Sequence, residues 1–515
     1  MRTWRGRPRV TSASFREIEQ CDMVIIGGGI CGLLAARQCR DMGLSYTLIE
    51  REKRLGGNWH TKANDHSFLQ AYEPMYRWDP KYKVHPSIFG KAPASKVREQ
   101  LEAFASDNAV TSNSLLSTEA VDVTQVAADR FLVNCKSLVT GEESVMETAF
   151  LCVTCGILGD QWTAEERGVE VGQGYRGKLT QAGRHLGMDS LAGTVDLAGK
   201  RVVVMGSGSF AIEAAEAAAR QNAQHITIVS RPRYRWVLPF SRQFTLAAVA
   251  FAPLVPWRLK MRAVEWYLRK FFYGPCGIDH WLPRGAPADM DYSGQSNDGY
   301  FRLTHEGRLT CIVDRVVKLD AEGARLASRK ILPCDLFVVA AGCKYNLQPP
   351  FLASLGLGFH DLHSYAFLGR NPRIGTASDF VFAFVPAGPL KQLEMFFHSV
   401  QCCRAGKEAE VARALEPTAL PDHTEGPMKG GRMAGSYTWF QTRSPWSPLN
   451  LPIEERSRIY LKTMSVGKSA IQRLGLRVQL VAAMLGIWIL SSLLAVVEIF
   501  KFPVYGKGVP DHHVH

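Results

Sequence analysis

Apolar residues are distributed along this 515-residue chain in three patterns. Short β-branched runs, DMVII at 22–26, KRVVVM at 200–205 and HITIVS at 225–230, read as strands buried on both faces of a parallel sheet. Two of these runs lead through a glycine turn into a segment with helical apolar spacing, LLAARQCRDMG after the first and FAIEAAEAAAR after the second. Strand, turn and helix in this order predict an α/β fold. The third pattern is continuous: VQLVAAMLGIWILSSLLAVV, residues 478–497, carries no formal charge. A helix rising about 1.5 Å per residue spans a ~30 Å hydrocarbon core at this length. A transmembrane anchor is therefore expected over 474–500, with a buried core helix as the alternative.

Length divides by the usual domain size into two or three domains. Lys and Arg exceed Asp and Glu by 61 − 48 = 13. The excess collects at Arg2, Arg5, Arg7 and Arg9, and again at Arg456, Arg458, Lys462, Lys468, Arg473 and Arg477, just before the apolar run. That placement suits an anionic membrane surface or a phosphate-rich cofactor. No helix-turn-helix, zinc finger or basic stripe accompanies it, so nucleic acid is excluded as a partner. The basic flank predicts a tail-anchored protein with its body in the cytosol, on the endoplasmic reticulum or, alternatively, the mitochondrial outer membrane. Residues 1–20 read as a disordered basic tail, with a mitochondrial presequence as the other reading. The twelve cysteines fit buried free thiols in a reducing compartment, and Cys152 and Cys155 would face opposite sides of one strand. No metal site and no particular oligomeric state is indicated.

The first turn, Gly27, Gly29 and Gly32, has the G-x-G-x-x-G spacing between a strand and a helix, and the next strand ends in Glu50. Glycines there let the backbone approach a pyrophosphate, whose charge sits on the helix N-terminal amides, while the acid accepts from ribose hydroxyls. The second turn, Gly206, Gly208 and Ala211, repeats the design, with Ser207 and Ser209 as further phosphate contacts. Its second strand ends instead in Ser230 and Arg231. An acid would repel a 2′-phosphate and a guanidinium grips it, so this turn is expected to hold NADPH. Arg233 and Arg235 are candidate helpers at that phosphate.

Directly after Glu50 the chain reads REKRLGGNWH, with Gly56, Gly57 and Trp59. Turn, acid, glycine pair and tryptophan together resemble the FAD-binding half of flavin-containing monooxygenases and their Baeyer–Villiger and N-hydroxylating relatives, the class B flavoprotein monooxygenases. The resemblance covers roughly residues 21–407. It implies two Rossmann-like domains, with FAD on the first and NADPH on the second, and oxygenation through a flavin C4a-adduct with no protein nucleophile. Arg51, Gly57, Asn58, Trp59 and Gln70 join the first turn as expected FAD contacts. FLCVTCGILG at 150–159 and DLFVVAAGCKYN at 335–346 resemble the two strands that carry the chain between the domains, with Cys155 and Ala341 before the glycine in place of the family's commoner threonine.

The expected domains are 21–160 and 335–415 for a discontinuous FAD domain, 161–198 for a linker and 199–334 for an inserted NADPH domain. A polar linker at 416–473 and a short tail at 501–515 flank the anchor. Two departures from the family pattern bear on function. Its flavin-side Thr-Asn dipeptide aligns with Ala71 and Tyr72, which leaves Asn64 and Gln70 as the nearby amides; Asn64 is the candidate catalytic residue, or else a turn residue. In the linker, Tyr175 and Gly177 match the monooxygenase fingerprint, but Gln181 stands where histidine belongs and His185 comes four residues late. Baeyer–Villiger chemistry is thereby disfavoured relative to N- or S-oxygenation of a lipophilic small molecule. The apolar and basic run 244–274 reads either as an interfacial membrane helix or as a helical cap over the site. An NADPH-dependent quinone or disulfide reductase, and a catalytically weakened FAD-binding membrane protein, are the alternative functions.

Overall fold

A computed structural model of the protein describes residues 19–501, apart from 65–66, 74–75, 157, 183–195, 232–236, 251–254, 283, 285–294, 378–388 and 418–450. Strand Glu19–Ile26 centres the first sheet, with Tyr46–Ile49 and Glu143–Val153 parallel on either side. Helix Ile30–Asp41 makes the crossover between the first two strands. Ile374–Thr376 adds beyond Glu143–Val153, so this sheet is built from two separated stretches of chain. Met23, Val24 and Ile25 are fully buried because helices and sheet cover both faces, which is why the strand reads as an unbroken apolar run.

The second sheet has five parallel strands in the order Leu309–Val313, His225–Ser230, Arg201–Met205, Leu336–Val339 and Lys178–Gln181. Two details depart from the domain boundaries read from the sequence. Leu336–Val339, expected to resume the FAD domain at 335, is a fully buried strand of this second sheet, paired to Val202–Met205. Lys178–Gln181, expected as linker, forms its edge. The passage between the sheets is instead marked by Leu158–Gln161 and Cys343–Tyr345, which pair antiparallel.

Run 244–274 forms helices Gln243–Ala250 and Trp257–Leu268 and a π-helical turn Arg269–Tyr273. Val264, Leu268, Phe272 and Tyr273 enter the second core, while Leu259 and Trp266 on the same segment are 57% and 58% exposed.

The expected membrane span needs correction. Residues 474–500 lie within the 32-residue helix Ala470–Lys501, yet no helix among the described residues is long and apolar enough to cross a membrane. The physical reason lies at the far end of that helix. Ser491, Ala495 and Glu498 share one face and are buried, and the Glu498 carboxylate accepts from the Phe244 and Thr245 amides at 3.1 and 2.7 Å. It also accepts from the Thr245 hydroxyl at 2.5 Å and from the Tyr72 hydroxyl at 2.9 Å. Those two amides open helix Gln243–Ala250, whose first N–H groups lack intrahelical acceptors. Glu498 therefore caps another helix from a distance and docks its own helix to the protein body.

Candidate functional site

Both glycine turns take the shape that a pyrophosphate turn requires. Gly27 has φ +109°, and a Cβ there would lie 2.5 Å from the Cys155 backbone; Gly206 has φ +124°, and its Cβ would lie 2.2 Å from the Ala340 carbonyl oxygen. Only glycine fits either position. Gly29 and Gly208 then stand at the N-caps of helices Ile30–Asp41 and Ser209–Arg220, so the N-terminal end of each helix faces its turn. The second glycine-rich loop closes on the first turn: a Cβ on Gly57 would lie 2.9 Å from the Gly29 Cα.

Glu50 is buried at the end of its strand, and burial pushes its carboxyl above the ordinary range. Its Oε2 accepts from the Gly28 amide at 2.5 Å and its Oε1 from the Glu52 amide at 2.8 Å, which counter that push. Arg51 is exposed and 3.7 Å from Glu52. At the second turn the equivalent place holds a neutral pair, Ser207 Oγ and Ser230 Oγ 3.0 Å apart, and Arg231 follows directly, half-buried. Arg233, Arg235 and His185 lie outside the described residues. Gln181 is a strand residue whose side-chain amide donates to the Trp162 carbonyl at 3.3 Å.

Asn58 and Trp59 open the short helix Asn58–Thr61, and the Trp59 indole donates to the Tyr76 hydroxyl. Asn64 is buried in a turn: its amide donates to Ser67 Oγ at 3.1 Å and its carbonyl accepts from the Ser67 amide at 3.1 Å. Its side-chain Oδ1 also accepts from Ser67 Oγ at 3.3 Å. Tyr72, at the dipeptide position, is fully buried among Phe89, Phe240 and Phe244. Its amide donates to Gln243 Oε1 at 2.9 Å and its hydroxyl to Glu498, so its polar atoms tie the aromatic cluster to helices Gln243–Ala250 and Ala470–Lys501. Gln70 differs. Its Nε2 donates to Glu213 Oε1 at 3.1 Å, and its Oε1 is buried without a hydrogen-bond partner among the described residues. A buried amide oxygen of this kind calls for a donor.

Glu213, Glu498 and Gln243 were not singled out from the sequence. A signal existed for the two acids: Glu213 falls inside the alanine face of AIEAAEAAA, and Glu498 interrupts the apolar run LAVVEIF. All twelve cysteines are free thiols, and Cys155 beside Gly27 is exposed.

Comparison with known proteins bears on what these turns hold. The family model of an NAD(P)-binding Rossmann-like domain matches residues 25–92, which contain the first turn, Glu50 and the glycine-tryptophan loop. The FAD-containing monooxygenase EthA of Mycolicibacterium smegmatis is 24% identical over 362 residues, covering 64% of this chain and 70% of its own. The putative FAD-containing monooxygenase MymA of Mycobacterium tuberculosis is 22% identical over 357 residues, 64% of this chain and 70% of its own. The chain is a distant homologue of the class B flavin-binding monooxygenases. Their fold is shared well beyond the first turn. A cyclohexanone monooxygenase bound to epsilon-caprolactone superposes with TM-score 0.59 at 14% identity, over 86% of this chain and 97% of that one. An oxidised steroid monooxygenase bound to NADP gives 0.59 at 16%, over 87% and 98%. OTEMO, in a structure complexed with FAD and NADP, gives 0.54 at 14%, over 76% and 89%. Within this family, both dinucleotides have been seen on the fold.

Proposed function

We propose that this FAD-containing monooxygenase takes its electrons from NADPH and oxygenates a lipophilic small molecule at a soft nitrogen or sulfur centre, with molecular oxygen as co-substrate. The observation that carries the reading is the pair of glycine turns of one backbone design, one ending in an acid and the other in serine and arginine. Gly27, Gly29, Gly32, Gly57, Asn58 and Trp59 would hold FAD, with Glu50 on the ribose and Gln70 Oε1 supplying an acceptor. Gly206, Ser207, Gly208 and Ser209 would take the NADPH pyrophosphate, and Arg231 its 2′-phosphate. The residues fit these groups: both turns are closed to any side chain at their first glycine, and Gln70, bonded to Glu213 on the helix that follows the second turn, presents a buried acceptor with no partner among the described residues. Bound FAD supplies two-electron storage and the activation of oxygen. The protein's own part would be to bind and orient both nucleotides and to exclude water, a task to which the buried cluster of Tyr72, Phe240 and Phe244 is suited.

A ketone substrate is the second reading, favoured by the cyclohexanone and steroid monooxygenases among the structural neighbours. Incubating the purified protein with NADPH, oxygen and a panel of amine, thioether and ketone separates the two by product. No bound flavin, or NADPH consumption yielding only hydrogen peroxide with every substrate, rejects both.

We also propose that the helix Ala470–Lys501 rests on lipid without crossing it, with the body on the cytosolic face of the endoplasmic reticulum. Support comes from Leu474, Val478, Leu485, Ile489, Leu493 and Phe500, each at least 41% exposed on that helix, and from Arg473 and Arg477 near its start. Flotation with vesicles containing anionic lipid tests it; protein remaining at the bottom of the gradient rejects it.

A further inference from the structure

Helix Ser209–Arg220 buries nine residues in succession, 211–219, and two of them are acids, Glu213 and Glu216, each 3% exposed. Acids on an alanine face are costly unless each has a task. Glu216 meets Lys91 Nζ at 3.7 Å and accepts from Asn297 Nδ2 at 2.9 Å. Glu213 instead reaches across to the loop that follows the glycine-tryptophan segment. Its Oε2 accepts from Ser67 Oγ at 2.8 Å, and its Oε1 from the Phe68 amide at 3.2 Å and Gln70 Nε2 at 3.1 Å. That loop begins where Gly57 closes on the first turn, and Glu213 lies just over one helical turn beyond Gly208 at the second. The contact therefore joins the two nucleotide turns through buried groups.

An ionised carboxylate only accepts, so it dictates how each donor points. The Gln70 amide is drawn by its nitrogen to Glu213, with the Phe68 carbonyl 3.4 Å from the same nitrogen. Its oxygen is left on the other side, buried and without a partner among the described residues. We propose that Glu213 is a positioning residue that fixes the Gln70 amide with its oxygen outward, as an acceptor for an N–H donor of the bound cofactors. This rests on the reading that the two turns hold FAD and NADPH. Two donors share that chemistry, a flavin ring N–H and the nicotinamide carboxamide.

The same geometry makes the acceptor sensitive to one proton. Burial pushes the Glu213 carboxyl up to about 7, with Lys91 opposing and Glu216 adding to the rise. Once protonated, Glu213 donates to Ser67 Oγ, which then turns its own proton to Asn64 Oδ1, 3.3 Å away. Glu213 Oε1 still accepts from Gln70 Nε2, but as a neutral carbonyl oxygen it holds the amide less firmly than the carboxylate did. Cofactor affinity at this acceptor should weaken as pH falls from 8 to 6.

The test is binding, measured without turnover. FAD is titrated into apoprotein, and NADP+ into the FAD-loaded protein, across that pH range for wild type, Glu213→Gln, Gln70→Leu and the double variant. Each single variant should lose about tenfold in affinity for one cofactor. Loss for FAD identifies the flavin as donor; loss for NADP+ alone identifies the carboxamide. The pH dependence should vanish in both, and the double variant should be no weaker than the worse single one. Unchanged affinities, additive losses or a surviving pH dependence would overturn the role of Glu213. Gln70→Leu keeps the acid in place, so its result stands if Glu213→Gln does not fold. Wild-type protein that takes up no FAD overturns the flavoprotein reading itself, an outcome distinct from normal FAD uptake with unaltered variants.

Discussion

The two glycine turns are nearly superposable in design and opposite in charge. Gly27 donates its amide to Ile49 at 2.8 Å and Gly206 to Val229 at 2.9 Å, each with a left-handed φ and each pressed against the backbone of a neighbouring strand. At the end of the second strand the first has Glu50, bonded through both oxygens to backbone amides, while the second has the hydroxyl pair Ser207 and Ser230, followed by Arg231. On the proposed reading, backbone shape provides for a dinucleotide and one side-chain position selects which.

The strongest test of that division fills the turns one at a time. Gly29→Val meets only the Gly57 Cα, 3.8 Å from the added Cβ, so the fold should survive while the pyrophosphate space is taken. FAD affinity should fall at least about 100-fold, ~2.7 kcal/mol. Gly208→Val should keep the yellow flavin and lose its reduction by NADPH; flavin absorbance and anaerobic reduction read both, and loss of flavin from the Gly208 variant would break the comparison.

The seam between the two regions comes next. Glu498→Ala leaves the Phe244 and Thr245 amides and the Tyr72 hydroxyl buried without their acceptor, which should cost about 2–3 kcal/mol in a denaturant titration. Deleting 474–515, harmless if that helix were only an anchor, should lower stability at least as much.

Smaller effects discriminate the charges. Arg231→Ala should raise KM for NADPH about tenfold and leave NADH within about twofold; equal losses would remove the 2′-phosphate assignment. The pH dependence of stability carries a sign as well. Glu213 holds its proton up to about 7 in the folded protein but only to 4.5 when exposed, so the folded state binds more protons between those values. Stability should therefore fall as pH rises from about 4.5 to 7, by up to about 3 kcal/mol, and Glu213→Gln should flatten the slope. Smallest of all, Ser230→Ala removes one hydroxyl partner of Ser207 and should change NADPH affinity less than about threefold.

What could be read in the sequence was local. Gly27, Gly29, Gly32 and Glu50 lie within 24 residues, and glycine spacing, helix start and strand end are all set by neighbours along the chain. Partners far apart were not legible. Ser67 finds Glu213 across 146 positions, and nothing in either segment names the other. Leu336–Val339 looked the same whichever sheet it joined, since an apolar run of four specifies burial on both faces and no address. The helix at 470–501 was misread for a related reason: apolar composition states that a helix will be covered, and only Glu498, one residue past the uncharged stretch, states that part of the cover is protein.

Tyr72 and Glu498 are 426 positions apart, and this separation has a consequence for the making of the protein. During synthesis, Tyr72 and the amides of residues 244 and 245 leave the ribosome long before the carboxylate that joins them exists. The aromatic cluster must wait, with its polar atoms borrowed by water or by a chaperone, until the helix at 470–501 has emerged and closed one of the longest loops in the chain. Contacts of such sequence separation form late and slowly. The strand, glycines and helix of each nucleotide turn, by contrast, lie within a few dozen residues and can take shape while that contact is still missing.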